Sequence, residues 1–205
     1  MATALNSTMS STAAARAGDC TQSVPAPLPD FETLYDEYAD FAWRNARRLG
    51  VLPEALDDVV QEVFLVAHRR LGDVQYPQAL RAWMFSIVIR VVREHRRHLR
   101  RKDPAHRLGA VMLDPEQLAD ERPNSPLASA ERADAVRLLH QLLSELDDAK
   151  REVFVLAELE EMTELEIAEV LGENVNTVHS RLRAARKGFE NAAQRQRSRD
   201  AWRLL

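Results

Sequence analysis

Apolar side chains recur at three- and four-residue intervals through most of this chain, the spacing that puts them on one face of a helix. Phe31, Leu34, Tyr35, Tyr38, Phe41, Ala42, Ala46 and Leu49 form the first such face, after a possible cap at Asp30 and before Gly50 and Pro53. A second helix is expected over about 53–71, with Leu56, Val59, Val60, Val63, Val66 and Ala67 as its stripe. Glycine and proline in residues 72–77 then demand a loop. A long helix follows over about 80–102. Leu80, Trp83, Met84, Ile87, Val88 and Val91 are expected to pack inward. Phe85, Ile89, Arg93, Arg96 and Arg100 run down the opposite side, with Arg90, Arg97 and Arg101 as a parallel row.

Between 103 and 130 the periodicity fades among prolines and acidic residues, which reads as a flexible tether between two modules. A leucine-rich amphipathic helix is expected over 131–146, and Asp147 can cap the next, whose apolar face is Val153, Phe154, Leu156 and Ala157. Thr163 and Glu166 have the spacing of a capping box, Gly172 ends that helix, and Asn174 can cap another. Along this last helix Val178, Leu182, Ala185 and Phe189 share one face. The reading is an all-α chain of two small helical domains joined by a flexible linker, the second ending in a helix-turn-helix. Its parts are a disordered tail (1–28), a first domain (29–102), a linker (103–130), a second domain (131–194) and a short tail (195–205).

Composition narrows the partners. With 45% apolar and 29% charged positions among 205 residues, the chain can bury one ordinary core or two small ones. A formal charge of −4 argues against a uniformly basic nucleic-acid coat, so contact with DNA has to come from clustered cations. A single cysteine, Cys20, excludes an internal disulfide and any cysteine-rich zinc site. No apolar run approaches the roughly 18 residues that span a bilayer, and residues 1–28 lack the apolar core of a secretory signal, so no membrane insertion and a cytoplasmic location are expected.

Three surfaces carry candidate chemistry. On the second helix, Asp57, Asp58, Gln61 and Glu62 flank Leu65, a large apolar group on a polar side. This is either an ordinary exposed leucine or an acidic docking surface for a basic partner helix. In residues 90–102 seven Arg or Lys stand against one Glu, a density that calls for anions. An arginine row beginning beside Phe85 and Ile89 suits unpaired DNA, with a channel for the backbone next to surfaces where bases rest. On the last helix Asn176, Ser180, Arg183 and Lys187 turn away from the core, with Thr177 and Arg181 on one shoulder. Short hydrogen-bonding groups at its start and cations further along suit base edges and then phosphates. No nucleophile triad, phosphate-cradling loop or metal cluster is visible, so no catalytic residues, cofactor or metal are expected.

Taken in order, DDVVQEVFLVAHRRL, RAWMFSIVIRVVREHRRHLRR and KREVFVLAELEEMTELEIAEVLGENVNTVHSRLRAARK resemble the motifs of extracytoplasmic-function RNA polymerase sigma factors. The resemblance implies an initiation factor without catalysis of its own, whose domains correspond to sigma regions two and four. It implies that Asp57, Asp58, Gln61, Glu62 and Leu65 dock on the clamp helices of the polymerase beta-prime subunit. The loop with Asp73 and Tyr76 then captures a flipped base of the minus-ten element. Arg90, Arg93, Arg96, Arg97, Arg100 and Arg101 hold the opened strand, and Asn176, Thr177, Ser180, Arg181, Arg183 and Lys187 enter the major groove of the minus-thirty-five element. The earlier helices of the second domain meet the beta flap, and an anti-sigma factor is an expected partner. One departure stands out: the family often has Asn where this chain has Arg90, and Glu94 replaces the usual Asp. An arginine cannot offer an amide's paired donor and acceptor, so strand capture by charge is what carries over. A stand-alone helix-turn-helix transcriptional regulator is the alternative.

Overall fold

The computed structural model describes residues 28–74, 79–102 and 126–203, and the described residues contain helices and no strands. Helix α1 is Phe31–Arg48, α2 Pro53–Arg70 and α3 Leu80–Lys102; a short 3-10 turn, Leu71–Asp73, follows α2. In the second half α4 is Pro126–Ser144, α5 Asp148–Phe154, α6 Glu164–Leu171 and α7 Val175–Arg203. The expected tail before residue 28, the loop residue Tyr76 and the tether over 103–125 lie outside the described residues.

Local chemistry sets the helix ends. The Asp30 carboxylate accepts from the Thr33 N–H at 2.9 Å, and Asp147 accepts from the Lys150 N–H at 2.9 Å, each taking up an orphan donor of a first turn. Before α6 the capping box is complete: Thr163 Oγ1 accepts from the Glu166 N–H at 3.3 Å, and the Glu166 carboxylate accepts from the Thr163 N–H at 2.8 Å. Gly172 closes α6 at φ 67°, a left-handed conformation that glycine adopts without a Cβ penalty.

α1, α2 and α3 pack as a three-helix bundle around Leu34, Leu56, Val63, Met84 and Val88, all buried. α4 to α7 form the second bundle around Leu143, Val153, Leu156, Ile167, Val178 and Leu182. Between α5 and α6 the chain widens into one π-helical turn, Val155–Leu159, and Glu161 follows with φ 56°.

Two expected boundaries move. α4 already begins at Pro126, inside the stretch read as tether, where a proline suits a first helical position because its missing N–H has no intrahelical acceptor. α7 runs on to Arg203 through residues read as a tail. Along that extension Arg195 and Arg199 both reach Glu145, the latter at 3.6 Å, and Gln196 bonds Gln141 at 3.3 Å, tying α7 to the end of α4.

Two expected placements are also corrected. Tyr35, read as core, is 48% exposed, because the face of α1 that it shares with Phe31 borders an open groove. Phe85 and Ile89, read as surfaces for resting bases, are buried. Phe85 sits edge-on against Phe41 at 5.5 Å. The reason is that α3 is covered twice, by α1 and α2 on one side and by α6 of the second bundle on another. The buried residues of the two bundles consequently join into one continuous core.

Candidate partner and nucleic-acid interfaces

The helix-turn-helix follows from the caps already described. α6 is capped by the left-handed Gly172, three residues (172–174) separate it from α7, and Asn174 Oδ1 accepts from the Asn176 N–H at 2.9 Å. Val178, Leu182 and Ala185 bury one face of α7. Asn176, Ser180, Arg183 and Lys187 are exposed on the other, as the spacing predicts, and Thr177 is half-buried. Arg181 lies on the shoulder and pairs with Glu173 at 3.0 Å. His179 meets Glu164 at 3.1 Å and Arg186 meets Glu158 at 2.8 Å, so flanking charges tie α7 to the elements before it.

On the first bundle, Asp57, Asp58, Gln61 and Leu65 share a groove of about 820 Å³ with Tyr35, Trp43 and Phe64, between α1 and α2. Leu65 is 44% exposed. The groove thus has an apolar floor with a carboxylate margin, and α1 supplies half of it. That half was not anticipated, because Tyr35 and Trp43 fit a core stripe as well as a groove wall. Glu62 faces elsewhere: with Asp58 and Arg69 it lines a second groove, shared with Arg90, Arg97 and Arg101 of α3. Asp73 stands at the end of α2, paired with Arg70 at 3.2 Å.

From Arg90 onward the arginines of α3 divide into two sets. Arg90, Arg97 and Arg101 are exposed along the groove beside α2. Arg93, Arg96 and Arg100 instead meet carboxylates of α5. Glu152 is buried and takes Arg93 Nη2 at 2.7 Å, Arg93 Nε at 3.1 Å and Arg96 Nη1 at 3.1 Å. Arg96 also reaches Asp148 at 3.5 Å, Arg100 bonds Asp148, and Arg96 donates to the Leu49 carbonyl. The fork donated by Arg93 to Glu152 raises the arginine's already high pKa.

The same seam continues at the other end of α3. Glu160, also buried, receives Arg48 Nη1 at 2.8 Å and Arg81 Nη2 at 2.7 Å. In the middle, Arg151 donates to the carbonyls of Leu143, Ser144 and Leu146 and across the seam to Leu49 at 3.3 Å. Gly50, at φ 94°, lies so close that a Cβ there would fall within the Arg151 guanidinium. A cavity of about 150 Å³ opens beside these groups, lined by Arg47, Arg48, Arg96, Arg151 and His140. Burial, together with Arg47, Arg48 and Arg151, pushes the His140 pKa down to about 4.

Two helical bundles, the second carrying a helix-turn-helix with exposed amides and cations, fit a DNA-binding factor of two modules, and family comparison specifies which. Residues 34–102 match the model described as Sigma-70 region 2, and residues 137–187 the one described as Sigma-70, region 4. Over 157 residues the chain is 30% identical to RNA polymerase sigma factor NccH of Alcaligenes xylosoxydans xylosoxydans, covering 76% of this chain and 82% of that protein. It is 33% identical over 144 residues to sigma factor CnrH of Cupriavidus metallidurans, covering 69% and 74%. With ECF RNA polymerase sigma factor SigL of Mycobacterium tuberculosis identity is 32% over 157 residues, covering 74% and 82%. The chain belongs to the extracytoplasmic-function RNA polymerase sigma factors, which direct the polymerase to promoters.

Among solved structures, CnrH in complex with the cytosolic domain of CnrY superposes with TM-score 0.54 at 26% identity, covering 80% of this chain and 87% of that one. The sigma factor RpoE of Bartonella quintana, solved with the anti-sigma factor NepR, shares the fold at TM-score 0.62 and 18% identity, covering 80% and 97%.

Proposed function

We propose that the chain assigns core-polymerase docking to the α1–α2 groove, duplex recognition to α7, and capture of the opened strand to the basic face of α3. In this division Asp57, Asp58, Gln61 and Leu65, with Tyr35 and Trp43 opposite, receive the beta-prime clamp helices, and Glu62 adds negative charge from the neighbouring groove that it shares with Asp58. Asn176, Thr177 and Ser180 read base edges of the minus-thirty-five element, while Arg181, Arg183 and Lys187 hold its phosphates. The loop with Asp73 and Tyr76 takes a minus-ten base, and Arg90, Arg93, Arg96, Arg97, Arg100 and Arg101 hold the strand from which it was flipped. Strand opening then follows from differential affinity, since a domain that binds the separated strand better than the duplex shifts the population towards open complex.

The observation that carries this reading is the α7 surface: Asn176, Ser180, Arg183 and Lys187 stand exposed in one line on a helix whose other face is core. The chain acts without catalysis of its own, in the cytoplasm, on promoter DNA and core polymerase. An anti-sigma factor is a further partner, supported by the relatives solved with CnrY and NepR. Run-off transcription from a linear duplex with purified core polymerase tests the reading. New initiation with the wild-type chain is expected, and Arg183→Ala with Lys187→Ala should reduce it at least tenfold while co-elution with polymerase persists. Undiminished initiation from the double variant would refute the assignment of α7.

A further inference from the structure

Arg93, Arg96 and Arg100 are assigned to an opened DNA strand, yet each is occupied here by a carboxylate of the second bundle. Glu152 offers two oxygens to two guanidiniums, and Asp148 sits one helical turn away to serve Arg96 and Arg100. Two acids at that spacing present a row of anionic oxygens to an arginine row, as a sugar-phosphate backbone does. Burial sharpens the competition at the centre of the set: Glu152 is 4% exposed and Arg96 13%, so this pair is closed to a strand while the bundles are together, whereas Arg93 and Arg100 keep an exposed side.

Promoter geometry requires the bundles to part. Elements named for positions ten and thirty-five base pairs upstream lie about 25 base pairs apart, roughly 85 Å of B-form duplex at about 3.4 Å per step. A bundle of some 70 residues has a radius of gyration of only about 11 Å. Two bundles joined by hydrogen bonds of 2.7–3.1 Å between Arg93 and Glu152 therefore cannot place α3 and α7 on both elements at once.

We propose that Asp148 and Glu152 form an electrostatic latch that mimics nucleic-acid phosphate, keeping the free chain closed and its strand-binding arginines masked until core polymerase separates the two bundles. Glu160, bridging Arg48 and Arg81, is the second anchor of the same seam. The latch rests on the strand-binding role given to these arginines, and it predicts that the free chain, despite so dense a basic segment, binds single strands weakly. Charged contacts suit this task, because they hold two surfaces in register and exchange readily for another anion of the same spacing.

The test uses the full chain with Asp148→Asn and Glu152→Gln, compared with wild type by small-angle scattering and by anisotropy on a fluorescent single-stranded 20-mer. The expected result is a larger radius of gyration together with at least tenfold tighter strand binding, both absent from the wild type at the same salt. Adding Arg93→Ala and Arg96→Ala to the opened variant should cancel the gain. An opened variant that binds the strand no better overturns the masking, and a variant that stays compact overturns the latch. Should circular dichroism show the double variant unfolded, Glu160→Gln opens the seam from its other end and is judged by the same two readings. Run-off transcription by the wild-type holoenzyme is scored in parallel: its success with a failed latch leaves the division of labour standing, whereas its failure removes that division irrespective of the latch.

Discussion

His140 is the residue whose ionisation responds most to the seam. Its folded pKa of about 4 lies below the usual 6.5, so the fold favours the neutral ring. As pH falls through 6.5 the unfolded chain takes up a proton that the folded chain refuses, and stability declines until the folded ring also protonates near pH 4. Above pH 6.5 the group has no effect. The drop should total about 3 kcal/mol, seen as a falling urea midpoint between pH 7 and pH 4, and His140→Gln should flatten it. Leu65 behaves oppositely. Being 44% exposed, it contributes little to the fold, and Leu65→Asp should change unfolding free energy by no more than about 0.5 kcal/mol while abolishing co-elution with core polymerase on gel filtration. The exposure of Leu65 was legible from the sequence, because a large apolar group amid three acids and a glutamine breaks a polar face. Phe85 and Ile89 were misplaced for the complementary reason: periodicity reports which residues share a face of α3, and it is silent on whether another helix covers that face.

For the elements, caps and turns were the most legible features, since each depends on two or three neighbouring residues. Thr163→Ala removes one half of the capping box before α6, and should cost about 1 kcal/mol in urea unfolding while leaving the α7 surface unchanged. Gly50 is more severe. Its φ of 94° resists a side chain, and a Cβ would collide with Arg151, so Gly50→Ala should destabilise by about 2 kcal/mol or more and loosen the seam. The sequence offered this glycine only as a helix stop; the approach of Arg151 is a contact across some hundred residues that no local pattern records. The reach of α7 to Arg203 was likewise hidden, because Arg195 and Arg199 reach Glu145, some fifty residues earlier in the α4–α5 connection, a pairing invisible to local spacing.

On the scale of the whole molecule, the order of motifs was enough to name the family and to expect two helical bundles, while their mutual packing was hidden. Opposite charges scattered over α3 and α5 read equally well as solvated faces until the structure sets them at bonding distance. One measurement on the assembled holoenzyme follows from the exposed cations of α7. Promoter affinity should fall with added salt, and Arg183→Ala and Lys187→Ala should each lessen the slope of log K against log salt by about one.

The seam also distributes its risk unevenly. Glu152 and Glu160 each serve two guanidiniums, so an arginine lost to mutation still leaves the carboxylate a companion, whereas a lost Glu160 strands Arg48 and Arg81 and a lost Glu152 strands Arg93. A saturation screen of the free chain for compactness should therefore find substitutions scarcest at Glu160, less scarce at Glu152, where Asp148 still holds Arg96, and tolerated singly at the four arginines.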